Sequence, residues 1–99
     1  MEEIYSKVLT LTSKVPKGRV TTYGEIARKL EISPRVVGKA LNRNPHPIEV
    51  PCHRVVMSSG EIGGYSLGVK EKVNLLEKEG INIIHGKILK FTRHLFKFY

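Results

Sequence analysis

Two helix-start signals close together set the strongest limit on how this chain folds. Thr22 followed three residues later by Glu25 is the sequence form of a capping box, in which the hydroxyl accepts an orphan N–H of the first turn. Ser33 directly before Pro34 is a second start, an N-cap with proline where a missing N–H costs nothing. A helix opening at Tyr23 therefore ends within about two turns. Its inner face is Ile26, Ala27 and Leu30. The next helix is predicted over 34–43, with Val36, Val37, Ala40 and Leu41 inward and Arg35, Lys39, Asn42 and Arg43 toward solvent. Two short helices joined by the connection 31–34 suit a helix-turn-helix. The outer face carries cations for phosphates and short polar groups for base edges. Helix pairs of this shape also serve simply as packing units. Gly38, in the middle of the second helix, is about 1 kcal/mol less favourable there than alanine, which points to a close backbone approach.

The rest of the chain fits one small domain around this pair. Its 99 residues hold a single modest core. Ile4, Val8, Leu11 and Val15 recur at helical spacing, and Pro16 and Gly18 end that helix. The prolines at 45 and 47 bias the residues before them toward extended geometry, and 48–50 reads as a short extended piece. Residues 58–61 read as a turn and Gly63-Gly64 as a flexible loop. A last clear helix is predicted over 69–79, with Val69, Val73 and Leu76 as its stripe and Gly80 as its C-cap. Beyond it, apolar and basic residues alternate without a period that separates strand from helix.

Charge narrows the partners. Seventeen Lys and Arg against nine acids give a formal charge of +8, which attracts polyanions, nucleic acid first and anionic membrane second. A solvated basic surface is the plain alternative. No apolar run approaches the roughly 18 residues that span a bilayer. The first residues are acidic and do not form a signal peptide, so an intracellular, cytoplasmic location is expected, where a free thiol persists.

Cys52 is the one cysteine, which excludes an internal disulfide framework. A lone cysteine is commonly a small buried hydrophobe. Its neighbours point elsewhere: Pro51 stiffens the chain, and His53 and Arg54 supply positive charge that favours thiolate. In extended chain Cys52 and His53 face opposite ways. Either the backbone turns here, or a water bridges sulfur and imidazole. An acid that orients His53 must be a glutamate, because the chain has no aspartate. The loop Gly63-Gly64-Tyr65-Ser66 permits close approach of a flat ligand, or is an ordinary surface turn. His46, Cys52 and His53 match no established zinc spacing, so no metal is expected.

Together these motifs resemble the methylated-DNA–protein-cysteine methyltransferases, also called O6-alkylguanine-DNA alkyltransferases. The resemblance is carried by residues 20–27 (VTTYGEIA), 35–38 (RVVG), 42–45 (NRNP) with Pro47, 51–56 (PCHRVV), 63–66 (GGYS) and the helix end 72–80, in the family's order and spacing. It covers about 4–84 and implies the C-terminal, active-site and DNA-binding domain of that family. The implied fold is mostly α with a short β element, a winged-helix-like helix-turn-helix. The implied activity is direct reversal of DNA damage: a stoichiometric, one-time transfer of an alkyl group from O6-alkylguanine in double-stranded DNA, with no cofactor.

The resemblance also assigns roles. Cys52 is the alkyl acceptor, His53 activates it through a water, Glu79 orients His53, and Tyr23 stabilises the leaving base. Arg35 fills the gap left by the flipped nucleotide, on a DNA-reading face with Gly38, Lys39, Asn42 and Arg43. Asn44 braces the turn toward the active-site loop. The carbonyls of Cys52 and Val55 accept from the guanine amine, the Ser66 N–H donates to O6, Tyr65 lines the alkyl pocket, and Lys72 stands near it. Family members usually carry a further N-terminal domain, for which this chain has no room. The expected organisation is therefore a domain over 1–84 with a tail, 85–99, packed on the face left uncovered, in a monomer. Two other readings share many of these residues: a lesion-binding alkyltransferase-like protein without transfer, in which the acceptor cysteine is replaced, and a helix-turn-helix regulator with an inert thiol.

Overall fold

The structure, a computed structural model, describes residues 2–46 and 49–98. In chain order it has α1 (Glu2–Ser13), β1 (Thr21–Thr22), α2 (Tyr23–Leu30), α3 (Pro34–Asn42), a 3-10 turn at Cys52–Arg54, β2 (Val55–Val56), α4 (Val69–Lys78), β3 (Ile83–Ile84), β4 (Lys87–Ile88) and α5 (Phe91–His94). This is the expected mostly helical domain with short strands. Among the described residues no helix is long and apolar enough to cross a membrane.

Both start signals form. The Thr22 hydroxyl accepts from the Glu25 N–H at 2.9 Å, and the Ser33 hydroxyl from the Val36 N–H at 3.4 Å. The capping box closes only on the Thr22 side, because the Glu25 carboxylate accepts from Arg28 at 2.6 Å and from the Phe98 N–H at 3.1 Å. Glu31 ends α2 in the left-handed region at φ 57°, which turns the chain into α3. The helix pair packs on α1 through Val8, Leu11, Val15, Ile26, Ala27, Val37, Ala40 and Leu41, a cluster that also holds Cys52, Val55 and Phe98. A second cluster gathers Val20, Val56, Ile62, Leu76, Ile81 and Ile88.

β1 and β2 pair in parallel, Thr21 with Val55 and Thr22 with Val56. This pairing places the start of α2 beside the end of the Cys52–Arg54 turn. Two-residue strands carry no readable period, so the sequence gives no sign of it.

Several expectations need correction. Val15 is buried but lies beyond α1, in a turn closed by its N–H on Thr12. Residues 49 and 50 form a turn and a bend rather than an extended piece, with the Val50 N–H on the His46 carbonyl at 2.9 Å. Pro47 and Ile48 lie outside the described residues. Val69 does not belong to the buried stripe of α4. It opens the helix at the protein's edge and is 50% exposed, while Lys72, one turn further on, is fully buried with Leu76. Gly80 follows the helix at φ 89°, a left-handed conformation that suits glycine, as expected.

Candidate active site

The turn at Cys52–Arg54 resolves the geometry that the sequence leaves open. The chain does not run extended past Cys52; it turns, with the Arg54 N–H on the Pro51 carbonyl at 2.9 Å. His53 and Arg54 thereby share one partner, Glu79, at the C-terminal end of α4. His53 Nε2 lies 2.9 Å from Glu79 Oε2, and Arg54 donates to the same carboxylate through Nε at 2.9 Å and Nη2 at 2.7 Å. Arg54 also donates through Nη1 to the Val15 carbonyl at 2.8 Å, tying the site to the turn that follows α1. The sequence offers Arg54 only as a nearby charge; its grip on Glu79 is a finding of the structure.

Electrostatics follow from these bonds. Burial pushes the Glu79 carboxyl up, but the hydrogen bonds from Arg54 and His53 outweigh it and leave it below the usual carboxylate value. Burial holds the His53 imidazolium down more strongly than Glu79 supports it, so its pKa falls below the ordinary imidazole value. A neutral ring bonded to an ionised carboxylate carries its hydrogen on Nε2. Nδ1 then keeps a free lone pair, and this buried atom meets no partner among the described residues.

Cys52 is 4% exposed and lines a cavity of about 190 Å³ with Tyr23, Gly38, Leu41, Asn42, Gly64, Tyr65 and Ser66. The cavity unites α2, α3, the cysteine turn and the glycine loop. A wider groove of about 570 Å³ shares Tyr23, Gly38 and Gly64 with it and extends to Arg35, Met57, Ser58 and Ser59. Gly38 lines both spaces. A β-carbon there would meet nothing within 4 Å, so the space that its missing side chain leaves is cavity. Tyr65 hydrogen-bonds the Cys52 side chain and stands edge-on to His53, with ring centroids 6.4 Å apart. Burial, the charge of Cys52 and that bond push its phenol up to about 12. Burial likewise raises Tyr23, with Cys52 adding to the effect.

Lys72 is the other buried group of the site. Its ammonium donates to the Val55 carbonyl at 2.8 Å and to the Gly64 carbonyl at 3.0 Å, joining β2 to the glycine loop, and stands 6.0 Å from the Tyr23 ring centroid. Burial lowers its pKa to about 8, against support from Cys52. Asn44 bonds both ways across the following loop: Nδ2 to the Val50 carbonyl at 3.1 Å, and Oδ1 from the His46 N–H at 2.9 Å.

Not every expected residue comes to the cavity. Arg35 lies on the wider groove, and Lys39 on α3 and Arg43 just after it stand exposed outside both spaces, Arg43 over the Tyr5 ring at 5.4 Å. Ser66 is exposed at the rim. The carbonyls of Cys52 and Val55 each already accept one protein hydrogen bond, from the Val55 N–H and Lys72 respectively, which leaves each a second lone pair. Among the described residues no three His, Cys, Asp or Glu side chains come together as a metal site.

Comparisons with known proteins show the family. Residues 3–81 match the family model "6-O-methylguanine DNA methyltransferase, DNA binding domain". The chain is 47% identical over 88 residues to the methylated-DNA–protein-cysteine methyltransferase of Methanocaldococcus jannaschii, covering 89% of this chain and 52% of that protein. It is 59% identical over 71 residues to the enzyme of the same name from Thermococcus gammatolerans, covering 72% of this chain and 40% of the relative. It thus spans about half the length of the curated relatives it matches. Among solved structures, S. pombe Atl1 in complex with damaged DNA containing O6-carboxymethylguanine superposes with a TM-score of 0.85 at 33% identity, over 98% of this chain and 97% of that one. The O6-methylguanine-DNA methyltransferase of Pyrococcus kodakaraensis superposes with a TM-score of 0.67 at 52% identity, over 80% and 44%. A helix-turn-helix, a cysteine turn on its flank and a family match over most of the chain converge: the chain belongs to the 6-O-methylguanine DNA methyltransferase family, as a DNA-binding domain of that family.

Proposed function

We propose that this protein repairs DNA by taking an alkyl group from O6-alkylguanine in double-stranded DNA onto Cys52, once per molecule. The observation that carries the reading is that Cys52 lines a partly open cavity against the helix-turn-helix, while the residue after it is a histidine held by a carboxylate. A thiol cannot reach a base inside a duplex, so the damaged nucleotide is flipped out at a cost of a few kcal/mol. Arg35, on the outer groove, fills the gap it leaves. Gly38, Lys39, Asn42 and Arg43 present α3 to the DNA, with Gly38 leaving room for close approach.

The free lone pair of His53 Nδ1 relays the Cys52 proton through a water, and Glu79 fixes the ring for that task. The sulfur then forms a bond to the alkyl carbon as the C–O6 bond breaks. The electron pair leaves on guanine, where hydrogen bonds from Tyr23 and the Ser66 N–H stabilise the developing charge. Tyr65 borders the alkyl group, the carbonyls of Cys52 and Val55 receive the guanine amine, and Lys72 holds the Val55 side of the pocket to the glycine loop. Asn44 braces the turn between α3 and the cysteine. The product is a thioether, which water does not cleave, so the sulfur is not regenerated.

The close superposition on S. pombe Atl1, which was solved bound to damaged DNA, favours one other reading, recognition of the lesion without transfer. Incubation with a duplex containing O6-methylguanine, followed by intact mass measurement, separates the two. A gain of one methyl group per protein supports transfer. Lesion-selective binding with no gain in mass replaces transfer by recognition, and binding with no preference for the lesion contradicts both.

A further inference from the structure

Residues 86–98 follow the last residue of the family match, and they are built into the domain at three places. At the first, the Ile62 N–H bonds to the Gly86 carbonyl at 2.9 Å, the Ile88 N–H bonds to the Gly60 carbonyl at 3.0 Å, and Ile88 and Phe91 pack in the cluster of Val56 and Leu76. Phe91 lies where a β-carbon on Gly60 would stand 3.4 Å away, so the two are fitted to each other. At the second, residue 95 runs parallel beside Val20, with the Val20 N–H on the His94 carbonyl at 2.8 Å and the Phe96 N–H on the Val20 carbonyl at 2.6 Å. Arg19 reinforces this contact through bonds to the carbonyls of His94 at 3.1 Å and Leu95 at 2.7 Å. At the third, Phe98 is buried in the other cluster, the one that holds Cys52. Its N–H donates to Glu25 at 3.1 Å and its carbonyl accepts from Arg28 at 2.6 Å.

The segment therefore enters both apolar clusters and crosses between them along the β1 side. The cysteine turn crosses the same seam: Cys52 and Val55 belong to one cluster and Val56 to the other. Val20, which the tail pairs with, directly precedes β1, and β1 pairs with β2 behind the cysteine and opens into Tyr23. We infer that residues 86–98 are a brace that positions the reactive turn, fixing Cys52 and Tyr23 relative to each other by tying together the two clusters they straddle. Phe98 is its anchor and acts as a positioning residue, since it touches neither substrate nor sulfur chemistry.

The inference rests on the transfer reading, and the test keeps the two apart. The full chain is prepared with Phe98→Ala, Phe98→Leu and Arg19→Ala and studied at a temperature where circular dichroism shows each variant folded. Single-turnover transfer from free O6-methylguanine base gives the limiting rate constant separately from half-saturation, and affinity for undamaged duplex is measured beside it. The brace requires the limiting rate of folded Phe98→Ala to fall about tenfold or more, because small misplacements of reacting groups cost that much. Duplex affinity stays unchanged, and Phe98→Leu restores most of the rate. An unchanged limiting rate in folded Phe98→Ala overturns the proposal whatever happens to its melting temperature; the segment is then only a cover. If Phe98→Ala does not fold, Arg19→Ala decides by the same criterion. If the unsubstituted protein transfers nothing, the functional reading fails first. Iodoacetamide labelling of Cys52 then reports on the brace: a changed labelling rate in the folded variant supports it, and an unchanged rate overturns it.

Discussion

The ammonium of Lys72 donates a 2.8 Å hydrogen bond to the Val55 carbonyl from a side chain with no solvent exposure at all. A charge this deep is costly unless bonded, and here its second bond, to Gly64, spans the pocket wall. The residue is thus a latch that ties β2 to the glycine loop through two hydrogen bonds.

Lys72→Met keeps the length of the side chain and removes the charge. The glycine loop is then untied from β2, and the transfer rate falls while duplex affinity stays. Stability gives a second readout. Between the native pKa of about 8 and the ordinary lysine value of 10.5, the unfolded chain holds a proton that the native protein has lost, so stability rises with pH across that window. Measured against Lys72→Met, the melting temperature of the unsubstituted protein should climb from pH 8 to 10. A flat or falling difference would show that burial does not lower the pKa of this lysine in the native protein.

Glu79→Gln tests the relay. Glutamine retains the shape but has no charge, and its amide can donate to Nε2 and reverse the tautomer of His53. The transfer rate at neutral pH should drop by roughly 10²- to 10⁴-fold, the usual worth of a positioned acid or base. Lesion binding should remain. In the unsubstituted protein the acid limb of the rate profile should lie below 6.5, because burial lowers the imidazole. Glu79 itself stabilises the fold above its ordinary value of 4.5, and this contribution is lost as pH falls through its lowered native value. A stopped-flow pH series on both proteins checks the limb.

Two glycines should respond in opposite ways. Gly38→Ala gains about 1 kcal/mol of helix preference and meets no atom of the protein, so the melting temperature should rise. Its methyl enters the cavity beside Cys52, so reaction with damaged duplex should slow. Gly63 sits at φ 72°, and a β-carbon there would approach Met57 to 3.3 Å, so Gly63→Ala should lower the melting temperature. A slower Gly38→Ala protein that is also less stable would mean that Gly38 is packed after all.

Arg35→Ala should weaken repair of duplex DNA far more than reaction with a free O6-alkylguanine base, which has no gap to fill. The ratio of the two rates is the measurement. An equal fall in both would remove Arg35 from base flipping and return it to general charge.

The scaffold of the site was legible because local chemistry writes it. Thr22 and Ser33 mark helix starts by hydrogen bonds made within three residues, and the apolar spacing of Ile26, Ala27, Val37, Ala40 and Leu41 follows the helix period. What escaped depends on distant partners. A stripe rule prefers Val69 to Lys72 in a core, because nothing local tells that two carbonyls wait for the lysine. The turn at Cys52–Arg54 is fixed by Glu79, 25 residues beyond Arg54, which collects both His53 and Arg54. The capping box was half right, since Phe98, 73 residues away, takes the Glu25 carboxylate. The tail could not be assigned because its order comes from Val20, Arg19 and two separate clusters rather than from any repeat of its own.

The most direct check is a titration of the protein with excess duplex carrying O6-methylguanine, followed to completion and ended by peptide mapping. The expected result is one methyl per molecule, on the peptide that contains Cys52, with no further turnover however much damaged DNA remains. Methyl release beyond one equivalent, a methyl on any other residue, or full lesion binding with Cys52 unmodified would contradict it.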